Sequence, residues 1–165
     1  MAIIHLPRNI VHFILAHAQR HEDREVCGFI ASRNGNPTRC FEIANVAPDP
    51  ATRFEMDPAA QINAMRAMRE AGEELFAIYH SHPQGPARPS TIDLAEAAYP
   101  NALYLIVSLH AAGVLEMRGY YIRKGQTEEV ELSQGVMDII SHQDDGPSLD
   151  PSIHTGSDSE SKRWP

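Results

Sequence analysis

Two histidines, a serine and an aspartate lie close together in the middle of the chain. The segment His80-Ser81-His82-Pro83 is followed by Ser90 and then Asp93. Imidazole nitrogens and a carboxylate are the ligands of catalytic zinc sites, where three protein ligands leave a fourth position for water. The same ligand set also suits iron(II) or manganese. These residue types therefore predict a metal site with one open coordination position.

The two histidines must share one face of a strand to converge on a single ion. Residues 75–81 are predicted to form a strand that ends in the histidine pair. Side chains on a strand alternate with a period of two, so His80 and His82 face one side and Ser81 the other. Beyond a proline-rich loop, Ser90 has the form of a helix N-cap, with Asp93 at position N3. Each of these four residues alone is typical of a strand end or a helix cap. Their combination in this order indicates a metal site.

A hydrolytic metal site also needs a group that moves protons, and Glu25 is the candidate. Metal-bound water has a pKa of about 7, and a nearby carboxylate must take its proton and pass it to the leaving group. Glu25 lies between a predicted helix over residues 7–21 and a predicted buried strand over residues 26–32. Position alone leaves four other acidic residues as candidates for this role, although they lie in charged surroundings. These residues are Glu22, Asp23, Glu73 and Glu74.

Apolar periodicity and turn residues predict the elements that carry these groups. Residues 3–6 are an apolar start without an assigned element. Asp57 is the expected N-cap of a second helix with Pro58 at its first position. The other expected elements are a second hairpin strand over 39–46, a loop over 47–58, a third helix from Ser90 to near Tyr99-Pro100, strands over 103–109 and 114–124 with a bulge at Gly119, and an edge strand over 128–132.

Composition and charge limit the class of protein. The 165 residues are 42% hydrophobic and 22% charged, which is typical of one globular domain. We expect residues 1–140 to form this domain. Residues 141–165 are rich in Ser, Asp, Gly and Pro, so we expect a polar, mobile tail there.

The net charge of −8 argues against binding to nucleic acid or to an anionic membrane. No segment reaches the roughly 18 apolar residues that span a bilayer. The first residues lack the order of a signal peptide, and there are only two cysteines. Together these features favour a cytoplasmic protein with reduced thiols.

Other candidate motifs are weaker. His17 and His21 have the spacing of the H-E-x-x-H zinc motif, but position 18 is Ala where that motif has Glu, so we expect a partly exposed helix face. Cys27 would share the face of Glu25, and we expect a buried inert thiol rather than a fourth ligand. The H-x-E and P-C-x-x-C pattern of nucleobase deaminases is missing.

The order Glu25, then H-S-H-P at residues 80–83, then S-x-x-D at residues 90–93 resembles the motif of the JAMM/MPN+ (Mov34/PAD-1-like) zinc metalloproteases. The segments 25–28, 45–46 and 54–58 look like those of compact bacterial members. The resemblance covers roughly residues 3–132 and implies a JAMM/MPN+ domain within residues 1–140. Its implied fold is an α/β (α+β) mixed sheet flanked by helices, related to the cytidine deaminases.

The resemblance also implies a role for each residue of the motif. Glu25 would be the catalytic acid and base, and Ser90 would stabilise the oxyanion. His80, His82 and Asp93 would bind one Zn2+ ion with a bound water.

The implied activity is a peptidase or isopeptidase that hydrolyses the bond after the C-terminal Gly-Gly of a ubiquitin-like or sulfur-carrier protein. Residues 47–58 would pair with the extended tail of that substrate. The sequence leaves open whether the protein forms a homodimer. Two alternatives also stay open: a non-catalytic binding module for a ubiquitin-like partner, and a DNA-repair-associated relative, against which the net charge argues.

Overall fold

A seven-stranded mixed sheet with three helices forms the part of the chain that the computed structural model describes, residues 2–110 and 114–134. The predicted tail at 141–165 and the last residues of the predicted domain lie outside this part. The elements in chain order are β1 (Ile3–Leu6), α1 (Arg8–Arg20), β2 (Cys27–Arg33), β3 (Asn36–Ile43), α2 (Pro58–Glu70), β4 (Glu74–His82), α3 (Thr91–Glu96), β5 (Leu103–Ser108), β6 (Glu116–Arg123) and β7 (Gln126–Gln134).

The strand order across the sheet is β1-β7-β6-β5-β4-β2-β3. The pairs β1–β7 and β4–β5 are parallel, and the other neighbours are antiparallel. This mixed sheet with flanking helices confirms the predicted fold class. Strand β4, which ends in the two histidines, lies inside the sheet between β2 and β5.

Two predictions about the strands near the C-terminal side were wrong. Residues 3–6 form β1, which pairs with β7 from Ile3–Glu131 to Leu6–Gln134. Strand β7 therefore lies between β6, which pairs with its residues 126–130, and β1, which pairs with its residues 131–134, and it is not the outermost strand. Gly119 is not a bulge, since it pairs regularly with Leu105 and Val130. A Cβ at this glycine would lie 3.0 Å from the Val130 side chain, so its small size serves close packing.

The bounds of two elements differ from prediction by about three residues. Helix α3 ends at Glu96 instead of near Tyr99-Pro100, because Ala97 is already extended with φ −61° and ψ 109°. Strand β3 spans Asn36–Ile43, so it begins and ends three residues earlier than the predicted 39–46, and it includes Pro37. A proline lacks the N–H that a central strand must donate, and β3 tolerates it because it lies at the edge of the sheet.

Helices cover both faces of the sheet, and the alternation of side chains along β4 separates two buried clusters. On the α1 face, Tyr79 packs in a cluster with Ile14 of α1. On the α2 face, Ile78 packs in a cluster with Met68 of α2. His80 continues the alternation of Ile78 and so lies on the α2 face. None of the helices in residues 2–110 and 114–134 has the length and apolar character to cross a membrane.

Candidate metal centre

The two histidines of β4 meet at the end of the strand. His80 is 1% exposed and pairs in register with Cys27 on β2 and Ile106 on β5. Its Nε2 lies 3.0 Å from Nε2 of His82. Ser81 faces the other side, where its Oγ accepts a hydrogen bond of 2.9 Å from the Val26 backbone N–H. The alternation predicted for this strand is confirmed.

The start of α3 brings Asp93 to the histidines. Ser90 is the N-cap: its Oγ accepts a hydrogen bond of 3.1 Å from the Asp93 N–H, and Asp93 Oδ2 accepts one of 2.7 Å from the Ser90 N–H. The same Oδ2 lies 3.3 Å from Nε2 of His80 and 3.2 Å from Nε2 of His82. The predicted capping box is confirmed, and the cap presents its carboxylate to both imidazoles.

These three atoms fit a tetrahedral zinc ion. Zinc bonds of about 2.0–2.1 Å at tetrahedral angles hold the ligand atoms about 3.3 Å apart. The observed separations among His80 Nε2, His82 Nε2 and Asp93 Oδ2 are 3.0, 3.2 and 3.3 Å. The two histidines also form a group with Glu25 in which the ligand atoms all lie within 4.8 Å of one another. The donor set and its spacing are therefore compatible with Zn2+.

Glu25 lies just before β2 and points its carboxylate at the same cluster. It is 4% exposed, and its Oε1 lies 3.8 Å from Nε2 of His82. Its Oε2 is buried and has no hydrogen-bond partner in the described part of the chain. A buried carboxylate oxygen without a partner is costly, and such atoms occur where a site needs them.

The backbone of Glu25 is fixed by the loop that follows β3. Its N–H donates to the Pro50 carbonyl over 2.7 Å. Its carbonyl accepts a hydrogen bond of 2.9 Å from Nδ2 of Asn45. Two hydrogen bonds to one loop therefore fix the position of the Glu25 backbone, from which its side chain extends toward the cluster.

Asn45 is a hub of this loop that sequence reasoning missed. Its Oδ1 accepts hydrogen bonds of 3.0 Å from the N–H groups of Ala47 and Glu55, and its Nδ2 also donates to the Arg53 carbonyl over 3.0 Å. The sequence signals were an asparagine at the entry of a proline-rich loop and the resemblance of residues 45–46 to compact bacterial family members. Since asparagine often bonds local backbone in loops, these signals did not distinguish a hub from an ordinary turn residue.

Burial, hydrogen bonds and neighbouring charges shift the pKa values of the groups in the cluster. Burial raises the pKa of Glu25 to about 8, against a smaller opposing effect of His82. Burial lowers the pKa of His80, which favours the neutral imidazole. Burial would also lower the pKa of His82, but hydrogen bonds to Asp93 and to the Pro86 carbonyl outweigh it and raise that pKa, so a metal ion binding there would displace a proton. Burial would raise the pKa of Asp93, but hydrogen bonds from His80 and His82 outweigh it, so that pKa lies well below its usual range. Neutral imidazole and charged carboxylate are the forms that bind a metal.

An open cavity of about 520 Å³ lies beside the cluster, lined by Glu25, His82 and Ser90 and by two loops, residues 51–52 on one side and residues 83–86 and 88–89 on the other. A smaller cavity of about 90 Å³ touches His80 and Asp93. Phe54 stacks on the His80 ring with 4.5 Å between centroids. The cluster is thus buried on one side and accessible from the larger cavity.

The competing motifs are explained by packing. His17 is buried rather than part of an exposed face, because its Nδ1 bonds the Tyr79 hydroxyl at 2.8 Å across α1 and β4. His21 is exposed. Cys27 is buried, its Sγ donates to the Ile43 carbonyl over 3.2 Å, and burial raises its pKa to about 12. The predicted inert thiol is consistent with these values.

Residues 7–120 match the family model described as prokaryotic homologs of the JAB domain. The chain belongs to this family. The prediction of a compact bacterial JAMM/MPN+ protein is thereby confirmed at the level of the family. The roles assigned to individual residues stay predictions.

Curated relatives carry names that describe protein cleavage. The chain is 38% identical over 97 residues to a probable TtuB-protein conjugate cleaving protease of Thermus thermophilus, covering 59% of this chain and 65% of the relative. It is 35% identical over 123 residues to a CysO-cysteine peptidase of Mycobacterium tuberculosis, covering 73% of this chain and 84% of the relative. The chain thus spans slightly less than two thirds of the first relative.

A solved structure supports the fold. The solution structure of protein DSY2949 from Desulfitobacterium hafniense has a TM-score of 0.71 and 32% identity, and the match covers 81% of this chain and 92% of that one.

Proposed function

We propose that this chain is a zinc-dependent peptidase that cleaves the bond between the C-terminal glycine of a ubiquitin-like or sulfur-carrier protein and an amine. The observation that carries the proposal is the triangle of His80 Nε2, His82 Nε2 and Asp93 Oδ2, with sides of 3.0–3.3 Å, beside the buried Glu25. The names of the Thermus and Mycobacterium relatives support the substrate class.

His80, His82 and Asp93 would hold the zinc ion. When bound, zinc supplies Lewis acidity for a carbonyl oxygen and lowers the pKa of water toward neutrality. The low pKa of Asp93 keeps one negative charge in the ligand set. His82 Nδ1 bonds the Pro86 carbonyl at 2.8 Å, which orients its Nε2 toward the cluster.

Glu25 would move the proton. Its carboxylate takes a proton from the attacking water as the new C–O bond forms, and it returns that proton to the amine nitrogen as the C–N bond breaks. Burial raises the pKa of Glu25, which makes its carboxylate a stronger base toward the water proton than an exposed glutamate.

Ser90 would stabilise the oxyanion. Its Oγ already accepts a hydrogen bond from the Asp93 N–H, so the hydroxyl proton is available for donation. Ser90 lines the same cavity as Glu25, which places this donor beside the predicted reaction site.

The predicted loop over residues 47–58, whose last residue Pro58 begins α2, would receive the extended tail of the carrier. The base of this loop is a short antiparallel bridge between Asn45 and Met56, and the Val46 N–H donates to the Glu55 carbonyl over 2.8 Å. Ala51 and Thr52 reach the cavity from its tip. A Gly-Gly tail has no side chains to obstruct a narrow approach between this loop and the metal ligands.

The test measures cleavage of carrier substrates by protein of known zinc content. Purified chain is stripped with a chelator, reloaded with zinc, and incubated with a CysO–cysteine adduct and with a TtuB–protein conjugate. We expect zinc to restore cleavage of at least one substrate after a carrier C-terminal glycine. Zinc-loaded, folded protein that binds the carriers but cleaves neither would contradict a peptidase and indicate the binding module.

A further inference from the structure

The cavity beside the metal cluster contains one basic side chain. Among the described residues that line it, Arg88 is the sole arginine or lysine and Glu25 the sole carboxylate. Arg88 lies two residues before Ser90, on the loop that forms one wall. A substrate bound at Glu25 and Ser90 would therefore have this guanidinium nearby.

The Arg88 guanidinium has no ion pair or hydrogen bond with any residue in 2–110 or 114–134, and the residue is exposed. Several other arginines in the described residues pair with a carboxylate, among them Arg39, Arg53 and Arg123. Arg66 and Arg69 on α2 also make no ion pair within residues 2–110 and 114–134, but unlike Arg88 they do not line this cavity. In a chain of net charge −8, a cation that is left without an internal carboxylate is available to an anion from outside.

The chemistry of the scissile bond shows which part of the substrate would carry that anion. The acyl side ends in glycine residues, which have no charge. The amine side differs between the two kinds of substrate that the relatives' names describe. A single amino acid such as cysteine has a carboxylate on the carbon next to its nitrogen, whereas a lysine within a protein has none.

We infer that Arg88 binds the α-carboxylate of the leaving amine, and that the chain releases a single amino acid from the C-terminus of a carrier. This inference rests on the proposed function. The guanidinium matches a carboxylate through two parallel hydrogen bonds, which add geometric specificity to the attraction. Water adds to the glycine carbonyl carbon, the C–N bond breaks, and the carrier carboxylate and the free amino acid are formed.

The experiment compares two substrates that differ by one charge. One is CysO joined to cysteine, and the other is CysO joined to cysteinamide. We expect the wild-type zinc enzyme to prefer the acid by about 10- to 100-fold in kcat/KM, the range of a hydrogen-bonded charge. In Arg88→Gln we expect the ratio of the two kcat/KM values to fall to about one. Cleavage of the cysteine adduct slows, whereas cleavage of the cysteinamide adduct keeps its wild-type kcat/KM. Arg66→Gln, an exposed arginine on α2 outside the cavity, keeps the full preference.

Three results would overturn the inference while leaving the proposed function in place. The first is equal cleavage of acid and amide by the wild type. The second is an Arg88→Gln variant that slows both substrates equally, which would show contact with the carrier itself. Cleavage of a TtuB–protein conjugate without cleavage of either CysO adduct would also overturn it.

Discussion

Two clusters of buried histidine lie on opposite faces of β4, and they differ in how their polar atoms are paired. On the α1 face, His17 Nδ1 and the Tyr79 hydroxyl are 2.8 Å apart and satisfy each other. On the α2 face, His80 and His82 lie beside Glu25, and both His80 Nδ1 and Glu25 Oε2 lack partners in the described part of the chain.

The contrast separates a cluster whose polar groups pair with each other from the cluster that we propose to be functional. Both lie in the interior, so burial alone does not distinguish them. On the α1 face, His17 Nδ1 and the Tyr79 hydroxyl are hydrogen-bonded to each other. In the α2 cluster, the possible metal-ligand atoms lie within 4.8 Å of one another, and two polar atoms have no hydrogen-bond partner in the described part of the chain. This cluster also lines an open cavity. A buried group with unused hydrogen-bonding capacity costs stability, which a site tolerates for its chemistry.

The largest expected effect follows from removing a predicted ligand on the α2 face. His82→Ala should lose bound zinc and lower kcat/KM by roughly a thousandfold or more, since a catalytic metal supplies several kcal/mol of transition-state stabilisation. Metal analysis and cleavage assays on the same samples measure both. His17→Gln on the α1 face should retain zinc, and equal zinc loss in both variants would contradict the distinction between the clusters.

A pH effect on stability should come from Glu25 in the metal-free protein. Its pKa is about 8 when folded and about 4.5 when unfolded, so the folded state holds a proton that the unfolded state releases. The stabilisation is fully present below pH 4.5 and is lost as pH rises toward 8, by on the order of a few kcal/mol.

Urea unfolding of chelator-treated wild type and Glu25→Gln at pH 5 and pH 8 measures this loss. The wild type should lose stability relative to the variant between the two values. Parallel behaviour of the two proteins would show that the carboxylate is not held in a desolvated site.

An intermediate effect is expected from Asn45→Asp. The carboxylate still accepts from the Ala47 and Glu55 N–H groups, but it cannot donate to the Glu25 carbonyl. We expect kcat to fall about 10- to 100-fold with zinc content unchanged, because misplacement by about 1 Å costs up to about 100-fold.

A double variant separates positioning from general loss of structure. Asn45→Asp should have little further effect in a Glu25→Gln background, since its action runs through Glu25. A full additional loss there would contradict the positioning role.

The smallest expected effect is on the α1 face. Tyr79→Phe removes the partner of His17 Nδ1 and should destabilise the protein by about 1–3 kcal/mol. Cleavage at a temperature where the variant is folded should stay within a factor of two of wild type. A large drop in kcat in folded variant would show that the two faces are coupled.

The local patterns of the site could be predicted from the sequence, and the long-range contacts could not. The alternation of His80 and His82 and the cap formed by Ser90 and Asp93 depend on residues close in the chain. The pairing of β1 with β7 joins segments at opposite ends of the described chain, and no local pattern encodes it. The burial of His17 also depends on a partner distant in sequence.

The most direct test of the central claim is Glu25→Gln in zinc-loaded protein. The amide keeps the size of the side chain and removes the group that accepts a proton. We predict unchanged zinc content and a loss of about 100- to 10,000-fold in kcat on a carrier adduct, the range for general acid–base catalysis. A variant with full zinc and the wild-type rate would contradict the account.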